Sequence, residues 1–310
     1  MNQLFMRGGR LRTGWRVLSF LMVYAILLIV ISIGLGLFAA IFLLSQGSLT
    51  NQLPTQIASF LTGPPLVIIA EFIQLALTLI LVSIWRRWLD RKSFTSLGFQ
   101  MSPGWWQDLL SGAGLIALTW LAIFAFSTGT GVVTVTGFHP DLQTLLGALV
   151  PGLILYLAVG LNEETLFRGY VFENLAEGLP LVLAILVSAL IFGAAHLLNP
   201  GANLAAFLGV GLFGVLAALT YLATGRLWMP IGMHVAWNLF EGPVFGFPVS
   251  GLDMGSLVTI HIAGPTWLVG GLFGPESGVL TMAPQIVLVA LIFIWGFRKG
   301  KYGRIIPPGA

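Results

Sequence analysis

Three groups of residues in this chain have types and spacings that could do acid–base chemistry. The first is the stretch 162–169, Asn-Glu-Glu-Thr-Leu-Phe-Arg-Gly, which sets two adjacent carboxylates and an arginine at the end of an apolar run. The second is Phe192 with His196, where an imidazole ends the run 189–195, which holds no other titratable group. The third is His234 with Asn238, one helical turn apart, and Glu241 continues the same face. On a helix Glu164 and Arg168 share a face and can pair, whereas Glu163 points about 100° away and stays free for other work. A carboxylate without its own counter-ion in a low-dielectric site is the kind of group that serves as a general base. Each group also has a plainer reading. Charges collect at interfacial helix ends, a lone histidine packs in a core, and an imidazole and a carboxamide can simply tie helices together. In combination they suggest a site in which Glu163 and His196 activate a water while His234 and Asn238 stabilise an oxyanion, the division of labour that amide hydrolysis requires.

Such a site needs helices to hold it, and the composition supplies them. The chain is 57% hydrophobic and 8% charged over 310 residues, against roughly 25% charged in soluble domains, so it is read as a polytopic membrane protein. Cysteine is absent, which excludes disulfides, thiolate nucleophiles and Cys-ligated metals. Apolar runs long enough to span a bilayer occur at about 17–44, 65–85, 109–126, 142–161, 179–198, 204–223, 227–247 and 283–297. The expected fold is an all-α bundle of about eight transmembrane helices with the active site inside it. It forms one membrane domain without a long linker or internal repeat: three N-terminal helices in 1–141, a catalytic core in 142–247, and an outer loop with the last helix in 248–310. Glu163 and His196 lie at similar distances from the turn at 177–180, so antiparallel neighbours would bring them to one level.

Charge placement sets the expected orientation. If the first helix starts inside, alternation puts Arg7, Arg10, Arg12, Arg16, Arg86, Arg87, Arg91, Lys92, Arg168, Arg226, Arg298, Lys299, Lys301 and Arg304 on one side, which accounts for all 14 basic residues. The opposite loops 45–56, 127–140 and 248–282 hold no Lys or Arg, as the positive-inside rule demands. Both termini are therefore expected in the cytoplasm of a cell-membrane protein. The N-terminal run reads as a retained anchor, being too long for a signal peptide. This placement also explains the net charge of +3 better than a nucleic-acid partner does. Arg86, Arg87, Arg91 and Lys92 read as an exposed orientation signal that favours anionic headgroups.

At the three groups the chain resembles the CAAX prenyl protease and bacteriocin-processing (CPBP, or Abi) intramembrane proteases. The family pattern Glu-Glu-x-x-x-Arg, Phe-x-x-x-His and His-x-x-x-Asn is met in order by Glu163, Glu164 and Arg168, by Phe192 and His196, and by His234 and Asn238. The resemblance covers about 142–247. It implies that Glu163 and His196 activate the water, that His234 and Asn238 form the oxyanion hole, and that Glu164 and Arg168 are a supporting ion pair. It also implies a membrane-associated peptide or protein substrate in the bilayer. The chain lacks His-Glu-x-x-His, the helical zinc signature. No metal cofactor is favoured, because Asn is a poor zinc ligand and a good oxyanion donor. Zinc or another divalent cation is the alternative.

The remaining polar residues carry less. Glu71 is a lone acid in the second span, read as bundle-facing with an unidentified partner or as a cavity residue. His139, Asp253, His261 and Glu276 fall in outer loops, and the Gly-rich segment 264–275 could cap the bundle or re-enter the bilayer. Three function classes follow: an intramembrane endopeptidase, which is preferred; a non-catalytic immunity or scaffolding protein; and a proton-coupled transporter. A scaffold would not need both an activating pair and an oxyanion pair, and a transporter more often shows repeated halves or broken helices.

Overall fold

The computed structural model describes residues 6–7, 10–47 and 52–302. Arg304, the side chains of Arg7 and Arg10, and residues 48–51 of the loop 45–56 lie outside the described residues. The protein is a polytopic, mostly helical bundle. Its long helices are α1 (Thr13–Ser45), α3 (Pro64–Trp88), α4 (Trp105–Gly129), α5 (Leu142–Gly178), α6 (Leu181–Ala195), α7 (Leu204–Thr224) and α9 (Val279–Arg298). Two shorter ones are α2 (Leu53–Leu61) and α8 (Trp228–Leu239). Among the described residues seven helices are long and apolar enough to cross a membrane, one fewer than the eight apolar runs.

The run that does not qualify is 227–247. It folds as α8 and continues through a wide turn at Phe240–Val244. Every residue of α8 from Trp228 to Asn238 is buried, so its apolarity serves a protein interior and not lipid. In α7, 61% of the most apolar window is buried, against 6% in α1, so α7 and α8 form the centre and α1 the lipid-facing periphery. The large exposed apolar residues of α1, such as Ile29, Ile33 and Ile41, fit a hydrocarbon surrounding. The segment 45–56, expected as loop, ends in α2, which packs back on α1 with Phe42 and Phe60 rings stacked at 5.4 Å.

Local sequence explains the ends of these elements. Asn203 caps α7 by accepting from Ala205 N and Ala206 N at 2.8 and 3.0 Å, and Gly225 ends it with a left-handed φ of 70°. α8 crosses α4 closely because both offer glycine at the contact. A Cβ on Gly232 would collide with the Leu109 carbonyl, and one on Gly112 with that of Met229. One end of the bundle carries a two-stranded antiparallel sheet of β1 (Val133–Phe138) and β2 (Val258–Ile262). Segment 248–278 folds down beside it onto the bundle: Gly251 N donates to Phe273 O at 2.7 Å. Gly209 of α7 lies so near the Glu276 carbonyl that a Cβ would collide with it.

The opposite end is held by charge. Arg16 of α1 pairs with Asp90 and Glu177, both at 2.8 Å, and Arg86 of α3 pairs with Asp90 at 3.3 Å and Glu173 at 2.6 Å. Lys92 joins Glu173 at 3.2 Å and also pairs with Glu177. This corrects the reading of residues 86–92 as an exposed cluster. Arg87 and Arg91 are exposed, whereas Arg86 is fully buried and Lys92 half-buried, because α5 brings two acids to meet them.

Candidate active site

α5 is the element on which the site is built. It leaves α-helical geometry at Glu164–Phe172, where the backbone takes wide π-helical turns and every side chain is buried. Such turns strain the hydrogen-bond ladder and recur at functional sites. Ser188 of α6 donates to the Phe167 carbonyl in this stretch at 3.3 Å. Glu163 is the last residue before it.

Arg168 Nη1 donates to Glu164 Oε1 at 2.9 Å, and both side chains are essentially unexposed, the pair that a spacing of four allows. The guanidinium also lies 4.2 Å over the Phe192 ring. The same Glu164 oxygen meets His234 Nδ1 at 2.8 Å, so Glu164 orients an imidazole as well as an arginine, a link the sequence did not reveal. His196 ends α6, and its Nδ1 meets the Phe192 carbonyl at 3.0 Å. Carbonyl and carboxylate oxygens only accept, so both Nδ1 atoms carry the proton. Each ring then turns its Nε2 into the cavity.

Both Nε2 atoms face Glu163. Its Oε2 lies 3.8 Å from His196 Nε2 and 3.7 Å from His234 Nε2, and it has no hydrogen-bond partner among the described residues. These gaps are too long for direct hydrogen bonds and suit one intervening water or a substrate group. Asn238 is buried one turn beyond His234, lines the same cavity, and makes no side-chain hydrogen bond among the described residues. Glu163, His196, His234 and Asn238 thus come to one cavity of about 390 Å³, with Glu164 and Arg168 behind them. His234 can donate from Nε2 only as an imidazolium, whose charge Glu164 would balance. Glu163, His196 and His234 are the groups a cation would meet. Among the described residues no set of three or more His, Asp or Glu side chains is arranged to hold one.

Two further acids line this cavity. Glu71 accepts from Asn162 Nδ2 at 2.8 Å, and Asn162 Oδ1 accepts from Thr78 at 2.6 Å, which supplies the partner that Glu71 lacked in the sequence. Glu276, assigned to an outer loop, is instead buried in the cavity wall, where Ser250 N and Oγ donate to its Oε2 at 2.8 and 2.6 Å. Burial pushes its carboxyl pKa up, and the Ser250 hydrogen bonds pull against that. Glu71 had a signal as a lone acid inside an apolar run; Glu276 had none, because its position depends on how 248–278 folds back. Glu241, on the His234 face, is fully buried outside the cavity lining, with the Trp237 side chain beside its carboxylate.

Residues 142–240 match the family described as type II CAAX prenyl endopeptidase Rce1-like. Neither the curated proteins nor the solved structures contain a match. The matched segment holds Glu163, Glu164, Arg168, Phe192, His196, His234 and Asn238, all of the motif residues. Over this segment, less than half of its length, the chain is similar to the type II CAAX prenyl endopeptidases.

Proposed function

We propose that the chain hydrolyses a peptide bond of a membrane-associated substrate with water activated by Glu163 and His196. The family is one of intramembrane CAAX-type endopeptidases; the mechanism and its residues are our reading. The observation that carries it is Glu163 Oε2, without a hydrogen-bond partner among the described residues, between two imidazole Nε2 atoms at 3.8 and 3.7 Å in a cavity of about 390 Å³. A water there would give its proton to Glu163, with His196 Nε2 accepting its second hydrogen bond, and its oxygen would bond to the scissile carbonyl carbon. The resulting oxyanion would be received by Asn238 Nδ2–H and by imidazolium His234. Collapse breaks the C–N bond as the proton held by Glu163 passes to the leaving nitrogen, giving a carboxylic acid and an amine.

This assignment uses His234 and Asn238 as donors, so it needs no metal; zinc held by Glu163, His196 and His234 is the alternative. We infer from the positive-inside rule that the basic network of Arg16, Arg86 and Lys92 faces the cytoplasm of a cell-membrane protein, with both termini on that side. The test is cleavage of a membrane-spanning peptide by purified protein in nanodiscs. Cleavage is expected to vanish in Glu163→Ala and to survive chelation, with elemental analysis before and after. Stoichiometric zinc whose removal abolishes cleavage and whose return restores it would overturn the metal-free mechanism.

A further inference from the structure

Glu163 makes no hydrogen bond through its side chain among the described residues, so nothing on the carboxylate itself fixes where it points. Its aim is inherited from the backbone turn that carries it. That turn is the last of α geometry before the wide turns at Glu164–Phe172, and a ladder that changes pitch holds it less firmly than an uninterrupted helix would. The residue beside Glu163 supplies what the ladder lacks. Asn162 is 3% exposed, and both ends of its amide are taken: Nδ2 donates to Glu71 Oε1 at 2.8 Å, and Oδ1 accepts from Thr78 Oγ1 at 2.6 Å. Glu71 and Thr78 stand two turns apart on one face of α3, so one neighbouring helix grips the amide at both ends.

The grip has a direction. Thr78 has one hydroxyl proton, and the Asn162 carbonyl oxygen can only accept, so that proton goes to Asn162. The 3.1 Å contact between Thr78 Oγ1 and Tyr24 OH is then a bond donated by Tyr24 of α1. Every donor from Tyr24 through Thr78 and Asn162 points the same way, and the series ends on the Glu71 carboxylate. Hydrogen bonds aligned in this manner polarise one another. Tyr24, Glu71, Asn162 and Glu163 all line the one cavity. Tyr24, Glu71 and Thr78 lie outside the matched residues 142–240, so the series is contributed by helices that the match does not cover.

We propose that Glu71 is a positioning residue for Glu163: by ending the series through Tyr24, Thr78 and Asn162, it fixes the turn of α5 from which the reacting carboxylate projects. Its part is that of a fixed acceptor, which a carboxamide carbonyl in the same place would also provide. The inference rests on the reading of Glu163 as the group that activates water, but one arm of its test needs no turnover.

The experiment compares Glu71→Gln, which keeps an acceptor for Asn162 Nδ2, with Glu71→Leu, which removes it, on full-length protein in nanodiscs. In the first arm kcat and KM are measured for a membrane-spanning peptide, with thermal midpoints read on the same samples. Glu71→Leu is expected to lower kcat about ten- to a hundredfold with KM nearly constant, the scale of a displacement of about 1 Å at a reacting group. Glu71→Gln should keep most of the wild-type rate. In the second arm each substitution is combined with Glu163→Cys, whose thiol is the only one in a chain without cysteine, and its alkylation by a small maleimide is followed. The alkylation rate should change severalfold with Glu71→Leu and stay at the Glu163→Cys value with Glu71→Gln. Thr78→Val, which removes the donor to Asn162 at nearly the same volume, should act as Glu71→Leu does, and it decides both arms if Glu71→Leu does not fold. A lowered thermal midpoint with unchanged kcat and unchanged alkylation would make Glu71 a strut and overturn the inference. Glu71→Gln as slow as Glu71→Leu would overturn it as well, because the charge or the proton would then matter and not the acceptor. Where the peptide is not cleaved in a Glu163-dependent way, alkylation decides alone: a rate that responds to Glu71→Leu and not to Glu71→Gln leaves the positioning intact and defeats the proteolytic reading.

Discussion

Two clusters of buried charge in this protein use similar residues to opposite ends. At the basic end, Arg16, Arg86 and Lys92 meet Asp90, Glu173 and Glu177, and each of the six has a partner of opposite charge within 3.3 Å. At the cavity, Glu164 is bound to Arg168 and His234 at 2.9 and 2.8 Å, but Glu163 beside it has nothing of opposite charge closer than 3.7 Å among the described residues. The first cluster is closed and joins three helices, α1, α3 and α5. The second is left open by one carboxylate. Neighbouring residues on one helix therefore divide between holding and reacting, and the division follows from whether the counter-charge is supplied by the fold or left for water and substrate.

The comparison breaks most sharply if the open acid proves silent. Glu163→Ala or His196→Ala is expected to lower the cleavage rate by about 10²- to 10⁴-fold, the range of general-base loss, while the protein stays monodisperse in detergent. Undiminished cleavage by Glu163→Ala would end the distinction. The closed cluster should respond in the other observable. Asp90→Ala, which strips both Arg16 and Arg86 of a buried partner, is expected to cost about 3–5 kcal/mol of stability, seen as a lower thermal midpoint in detergent. No change would mean the network is ornamental to the fold.

The oxyanion assignment sharpens the open side. Asn238→Ala should reduce kcat about a hundred- to a thousandfold with little change in KM; a rise in KM at constant kcat would move Asn238 to substrate binding. The smallest and most discriminating comparison is between the adjacent acids. Glu164→Gln is expected to lose about 1–3 kcal/mol more stability than Glu163→Gln, because it alone leaves Arg168 and His234 short of a buried acceptor. Matching thermal midpoints for the two variants would remove the contrast between them.

The sequence made the helices legible because each long run had to be apolar enough to meet lipid, and it made Glu164 with Arg168 legible because four residues is one turn. The convergence of Glu163 and His196 was also readable, since the turn near 178–180 folds α5 and α6 into antiparallel neighbours at equal reach. Three things were hidden for a common reason, that they depend on tertiary contacts and not on local spacing. The run 227–247 has the composition of a span yet folds as a short central helix, because burial in protein and burial in lipid select the same residues. Arg86 reads as a surface charge until α5 delivers Glu173. Glu276 sits among glycines and prolines with no period to mark it, and only the return of 248–278 onto α7 places it in the cavity.

The wide turns at Glu164–Phe172 carry one more implication. Because each residue there advances less around the helix axis than in an α turn, the two ends of α5 fall out of phase: one aims Asn162 and Glu163 at the cavity, the other aims Glu173 and Glu177 at the basic network. Such stretches differ from ordinary helix by gain or loss of single residues. Insertions and deletions, more than substitutions, are thus the edits to which this helix is exposed. Losing one residue between 165 and 172 would rotate the reacting half against the anchored half while leaving every side chain that either half contacts chemically intact.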